Sequence, residues 1–86
     1  MYYVYVLLSL RDRDFYVGKT ENLQERLNKH QKGHVESTKN RRPLRFLYAE
    51  MTPTEHEAGH REIYLKTAWG KRYLKERLKG AIRSLC

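Results

Sequence analysis

The chain has 86 residues, 40% of them hydrophobic and 33% charged, with a formal net charge of +8. That length supports one modest core and a single domain spanning residues 1–86. Seven tyrosines and an orderly apolar pattern exclude a disordered tail. No apolar run approaches the roughly 18 residues of a membrane span, and no secretion signal opens the chain. With its lone cysteine, Cys86, at the end, a reduced cytoplasmic setting is expected. Basic residues gather in Lys39–Arg45 and again from Lys66 to Arg83, where Glu76 is the one acid. Such an excess favours a polyanionic partner through phosphate contacts and counterion release. The plainer reading is a surface that keeps a small domain soluble.

In chain order, Tyr2 to Leu8 is rich in aromatic and β-branched residues and is predicted to be a strand with apolar side chains on both faces. Arg11-Asp12-Arg13-Asp14 is a polar turn, and Phe15 to Lys19 the returning strand of a hairpin. A helix then starts at Asn22, an N-cap with Glu25 as its reciprocal acid, and stops at Gly33. Leu23, Arg26, Leu27 and His30 fall at i, i+3, i+4 and i+7, so they share one face. The two leucines must pack on the sheet, which draws Arg26 and His30 to its margin.

His34 to Pro43 has no periodicity and is expected to be a basic loop, and Arg45 to Glu50 a third strand. Thr54 and Glu57 form a capping box for a helix running to about Thr67, with Ala58, Glu62 and Leu65 on one face. Gly70 separates a last helix, about Lys71 to Ile82, whose Leu74, Leu78 and Ile82 form a stripe. The predicted class is α+β: a small three-stranded antiparallel sheet flanked by helices, in the order ββαβαα.

Phenol, guanidinium, imidazole and carboxylate together suit a metal-assisted phosphodiester hydrolase. Such an enzyme must activate water, neutralise the crowded phosphorus and help the departing oxygen. Glu62, pointing inward, is the candidate metal ligand, because an inward carboxylate is costly unless paired or metal-bound. A salt bridge to Arg26 or Arg61 is the structural alternative. Arg26 offers a planar fork for phosphate oxygens, or else one half of an Arg–Glu pair. Tyr5 or Tyr16 could activate or orient water. A phenol of pKa near 10 is a poor base unless nearby cations such as Lys19, Arg26 or a metal favour its phenolate. Read singly, each tyrosine is an ordinary strand residue with a wet hydroxyl.

Taken together, these residues resemble the GIY-YIG nuclease domain. Tyr3-Val4-Tyr5 stands for the first triplet of that family, lacking its glycine and isoleucine, and Tyr16-Val17-Gly18 for the second, with valine in place of isoleucine. Arg26 matches the helical arginine, His30 the histidine one turn later, and Glu62 the metal-binding glutamate. The likeness runs from residue 2 to about residue 78 and is strongest to the small standalone bacterial subgroup. It implies a metal-dependent endonuclease that uses one Mg2+ (or Mn2+) ion held by Glu62 to hydrolyse phosphodiester bonds, in DNA rather than RNA. Catalytic roles are implied for Tyr5, Tyr16, Arg26, His30 and Glu62. Larger relatives take substrate choice from DNA-targeting modules, so the resemblance leaves substrate and sequence preference open, and a homodimer or a separate targeting protein is an expected partner.

Lys19, Lys39, Arg41, Arg42, Lys71 and Arg72 are the expected nucleic-acid contacts, with Ser37 and Thr38 adding phosphate hydrogen bonds. Tyr48, on the neighbouring strand, is a candidate to line the site. The alternative function is a non-catalytic nucleic-acid-binding module that keeps the fold and the basic surface. A third reading comes from His56-Glu57-Ala58-Gly59-His60, which fits the H-E-x-x-H pattern of zinc proteases. Its position in the first turn of a helix and the small size of the chain speak against it.

Overall fold

A computed structural model of the protein describes residues 1–85; Cys86, and with it the expectation of a reduced setting, lies outside the described residues. Strand β1 (Tyr2–Ser9) is central and pairs antiparallel with β2 (Phe15–Thr20) on one side and β3 (Leu44–Thr52) on the other. The sheet order is therefore β2-β1-β3. Ser9 Oγ accepts from the N–H groups of Arg11 and Asp12, which tightens the β1–β2 turn. The third strand begins one residue earlier and ends two later than its composition suggested.

Helix α1 (Leu23–Gln31) is capped as its sequence requires, with the Asn22 side chain accepting from Glu25 N at 3.1 Å. Gly33, at φ +78°, ends it in the left-handed conformation that glycine adopts without a Cβ penalty. The following loop holds a short 3₁₀ turn, Lys39–Arg41. Helix α2 (Glu55–Leu65) opens on the Thr54 cap, whose hydroxyl bonds both the N–H and the carboxylate of Glu57.

Alternation along β1 divides the core in two. Val4, Val6 and Leu8, with Phe15 and Val17, pack against Ala58, Leu65, Leu74 and Leu78. Tyr5 and Leu7 pack on the other face with Leu44, against Leu23 and Leu27 of α1 and against Tyr16. The sheet is thus the middle of three layers, with α1 on one side and the later helices on the other.

Those later helices depart from the sequence reading. Helix α3 (Ala68–Arg77) starts ahead of Gly70, because the Thr67 hydroxyl caps it by accepting from Gly70 N at 3.1 Å. Gly70 is buried, and a Cβ there would fall on the Tyr64 carbonyl oxygen and 2.5 Å from Leu65 Cα. Glycine at this point permits close approach of two helices and does not break one. The break comes at Leu78, after which α4 (Lys79–Ser84) follows. Leu74, Leu78 and Ile82 still line the core across that break.

Candidate active site

The sheet, α1 and the loop that follows converge on position 5. Tyr5 exposes no surface and stands directly opposite Gly18 in the β1–β2 register. A Cβ at position 18 would lie 2.5 Å from Tyr5 Oη and 2.6 Å from Cζ, so the ring crosses the glycine where a larger residue has no room. Tyr16, two residues earlier on β2, shares that face. Its ring centroid is 6.3 Å from that of Tyr5, at an interplanar angle of 43°.

The i, i+3, i+4, i+7 face of α1 brings Arg26 and His30 over this pair. Tyr5 Oη is 2.8 Å from His30 Nε2 and accepts from Arg26 Nε at 3.4 Å. His30 packs edge-on to both phenol rings, at 5.5 Å from Tyr5 and 5.1 Å from Tyr16. Its other nitrogen, Nδ1, is 2.8 Å from Thr38 Oγ1. His30 and Thr38 are as fully buried as Tyr5. The imidazole therefore lies in the interior and not at the margin, and Thr38, expected against phosphate, faces inward.

Burial sets the electrostatics. It pushes the Tyr5 phenol up to about 12, with the Arg26 guanidinium acting in the opposite direction. Burial and then the charge of Arg26 push the His30 imidazole down to about 4, which leaves it neutral at pH 7. The Tyr5 oxygen, in turn, holds Arg26 in its charged form. This is an aromatic and basic cluster whose chemical centre is one phenolic oxygen.

Glu62 belongs to the other layer. It is half-buried on α2, and among the described residues its Oε2 has one partner, Lys66 Nζ at 3.4 Å, while Oε1 has none. The alternative pairings are taken elsewhere: Arg61 binds Glu50 through Nε and Nη2 at 2.9–3.1 Å, and Arg26 binds Tyr5. No hydrogen bond or ion pair among the described residues joins Glu62 to the Tyr5 cluster. Lys19, the residue after Gly18, points toward α2, with Nζ 3.9 Å from Glu55 Oε2, and so β2 contributes side chains to both layers. Tyr48 donates to Glu50 at 2.8 Å and packs with the α2–α3 side of the core, away from Tyr5.

Among the described residues Glu62 offers a divalent cation one carboxylate, and no group of three or more metal-binding side chains surrounds it. The Glu62 carboxylate is half-buried, with one free oxygen and the exposed Lys66 as its partner among the described residues, and Mg2+ is commonly held by one or two carboxylates with water and phosphate completing its shell. A zinc cage has less to work with. The His56 and His60 rings are 4.4 Å apart on the exposed start of α2, but no group of three or more His, Cys, Asp or Glu among the described residues could hold a metal.

The basic residues divide by what already holds them. Arg41 donates to Asp12 at 2.7 Å and to the carbonyls of Asp14 and Phe15 at 3.3 Å, strapping the loop to the β1–β2 turn. Lys39 pairs with exposed Glu36, Lys71 with exposed Asp14, and Arg72 stacks 5.1 Å over the Trp69 ring. Among the described residues Arg42 donates only to backbone carbonyls, those of Lys39 and Gln31. Among the described residues no helix is long and apolar enough to cross a membrane.

Residues 1–77 match the sequence model of the GIY-YIG catalytic domain. The chain is 36% identical over 85 residues to a UPF0213 protein of Bacillus licheniformis, covering 94% of this chain and 87% of that one. A UPF0213 protein of Clostridium perfringens is 37% identical over 67 residues, covering 77% and 71% of the two chains. One from Staphylococcus saprophyticus is 35% identical over 75 residues, covering 86% and 90%. No solved structure matches. With the domain match spanning the sheet, both tyrosine triplets, Arg26 and Glu62, the chain belongs to the GIY-YIG family of nuclease domains.

Proposed function

We propose that this protein is a metal-dependent endonuclease that hydrolyses phosphodiester bonds in DNA, with Tyr5, Tyr16, Arg26, His30 and Glu62 as its working residues. The observation that carries the reading is the convergence of Arg26 and His30 on the Tyr5 oxygen, within a domain of a nuclease family. Tyr5 orients the attacking water through its hydroxyl. To act as the base it first gives up its own proton to solvent, and the phenolate then takes the proton of the water as the new phosphorus–oxygen bond forms, while the leaving oxygen takes a proton from solvent. Arg26 opposes the effect of burial on the phenol and faces the charge that develops on phosphate. Tyr16 and Lys19 position water and phosphate. Glu62 would hold a Mg2+ or Mn2+ ion, which would supply Lewis-acid charge to the phosphate and lower the proton affinity of nearby oxygens.

Lys39, Arg42, Lys71 and Arg72 hold the nucleic-acid backbone, their present partners being exposed or backbone groups that phosphate can replace. Arg41 keeps the loop in place. The protein acts in the cytoplasm, where its substrate is.

Two observations favour the second reading, a module that binds nucleic acid without cutting it: Glu62 pairs with Lys66, and burial keeps Tyr5 a phenol. Labelled duplex, single-stranded, flap and junction DNA, with RNA alongside, separate the two when incubated with Mg2+, Mn2+ or a chelator. Metal-dependent cleavage of a DNA substrate is expected. Salt-sensitive binding with no cleavage of any substrate would replace the enzyme with the module.

A further inference from the structure

Thr38 lies in the loop after α1, and its side chain is fully buried against His30. Its backbone is fixed as well: Thr38 N donates to Val35 O at 3.1 Å, and Thr38 O accepts from Arg41 N at 2.8 Å. The two nitrogens of His30 are held on opposite sides of the ring, by Thr38 and by Tyr5, each at 2.8 Å. A neutral imidazole has one N–H to place, so one of these contacts is donated by the ring and the other accepted.

The hydroxyl proton of Thr38 decides between them. A buried hydroxyl needs an acceptor for its proton. Among the described residues the one hydrogen-bond partner of Thr38 Oγ1 is His30 Nδ1. If Nδ1 carried the ring proton, it would donate to Oγ1, and the hydroxyl proton of Thr38 would be left without an acceptor in the interior. If Oγ1–H donates to Nδ1, Thr38 and His30 are both satisfied, and the proton in excess falls to Tyr5, beside half-buried Tyr16, and not to fully buried Thr38.

We propose that Thr38 is a positioning residue that fixes His30 as the Nε2–H tautomer, so that the imidazole donates to Tyr5 Oη. The functional consequence rests on Tyr5 being the group that handles water. Arg26 and His30 are then both donors to one oxygen, and neither can take the phenolic proton. That proton is left facing half-buried Tyr16, whose phenol interacts with that of Tyr5. Two fixed donors also stabilise the negative oxygen that a base requires. The burial that keeps His30 neutral fits this role, since a charged ring would need acceptors on both sides.

The imidazole nitrogens report this directly. In uniformly 15N-labelled protein at pH 7, long-range proton–nitrogen spectra are expected to show His30 with a protonated Nε2 and an unprotonated, hydrogen-bonded Nδ1. In Thr38→Val the Nδ1 resonance moves downfield toward that of a free ring nitrogen, and Thr38→Ser moves it back. A protonated Nδ1 in the wild type overturns the proposal, as does an Nδ1 signal that Thr38→Val leaves in place. If Thr38→Val does not fold, the wild-type and Thr38→Ser spectra still decide the tautomer. On a substrate that is cut, Thr38→Val lowers kcat about tenfold with KM little changed, and Thr38→Ser restores it. The spectra are taken on free protein, so an absence of cleavage counts against the nuclease reading and leaves the tautomer to be judged alone.

Discussion

Tyr5 and His30 meet hydroxyl to imidazole at 2.8 Å, and neither exposes any surface to solvent. A polar contact so placed is expensive to break, because the partner left behind is buried without a replacement. Tyr5→Phe therefore costs stability as well as chemistry, about 1–3 kcal/mol for the orphaned nitrogen. At roughly 4–8 °C per kcal/mol for a domain of this size, the loss is plain in a thermal melt. Tyr16→Phe, at a half-buried position, lowers cleavage with a much smaller change in Tm. Equal effects of the two on Tm would contradict the assignment of Tyr5 as the buried centre.

Stability is expected to fall as the solution is acidified below about pH 6.5. In the unfolded chain His30 takes up a proton near its ordinary value, whereas in the fold burial holds it neutral down to about pH 4. Between those values the unfolded state binds the extra proton, so stability rises with pH by up to about 1.4 kcal/mol per unit. Asp12, drawn down to about 2 chiefly by its bond to Arg41, gives the same sign only below its ordinary carboxylate range, outside this window. Urea unfolding from pH 4 to pH 8 should show the slope, and His30→Gln should flatten it. A slope that the variant leaves unchanged would assign it to other groups.

Three glycines separate three kinds of crowding. Gly18→Ala puts a methyl against the Tyr5 hydroxyl and is expected to abolish cleavage, at about 1–3 kcal/mol of stability. Gly70→Ala meets backbone, which cannot swing away, and should cost more in Tm than Gly18→Ala. Gly80→Ala, with nothing within 4 Å, is expected to stabilise α4 by about 0.5–1 kcal/mol. Thermal melts of the three variants give the order. Retention of full activity by Gly18→Ala would remove Tyr5 from the reaction.

The basic loop divides into a strap and a surface. Arg41→Ala should lower stability by about 1–2 kcal/mol and leave the salt dependence of DNA binding as it was. Lys39→Ala with Arg42→Ala should leave stability nearly unchanged and reduce the slope of log affinity against log salt, by about one for each phosphate no longer neutralised. Titrations at several salt concentrations distinguish these outcomes, and a reduced slope for Arg41→Ala would return that residue to the interface.

How far the sequence went depends on the range of each interaction. The caps at Asn22 and Thr54 and the shared face of Arg26 and His30 are local, spanning seven residues or fewer, and all are borne out. The three strands were legible from aromatic and β-branched segments and the polar turn between the first two, while the central place of β1 shows only in the structure. Thr38 was misread because a threonine in an aperiodic basic loop carries no local sign of pointing inward. Arg41 stood in a charge run that looks the same whether solvated or strapped to a turn 29 residues away. Gly70 was taken for a breaker, since the sequence does not distinguish a glycine that ends a helix from one that lets two helices touch. The layer that Glu62 occupies, separate from Tyr5, depends on how α2 packs across the sheet, which no spacing within the helix records.

The central claim is that Glu62 serves cleavage and not binding or folding, and Glu62→Gln tests it most directly. Its side chain is nearly isosteric and loses a bond only to exposed Lys66, so Tm and DNA affinity in chelator should match the wild type within a few tenths of a kcal/mol. Side by side with the wild type in Mg2+ or Mn2+, on whichever DNA the wild type cuts, cleavage by Glu62→Gln is predicted to fall by at least about a hundredfold. Cleavage by Glu62→Gln at the wild-type rate would contradict the account, because the carboxylate would then have no part in the reaction.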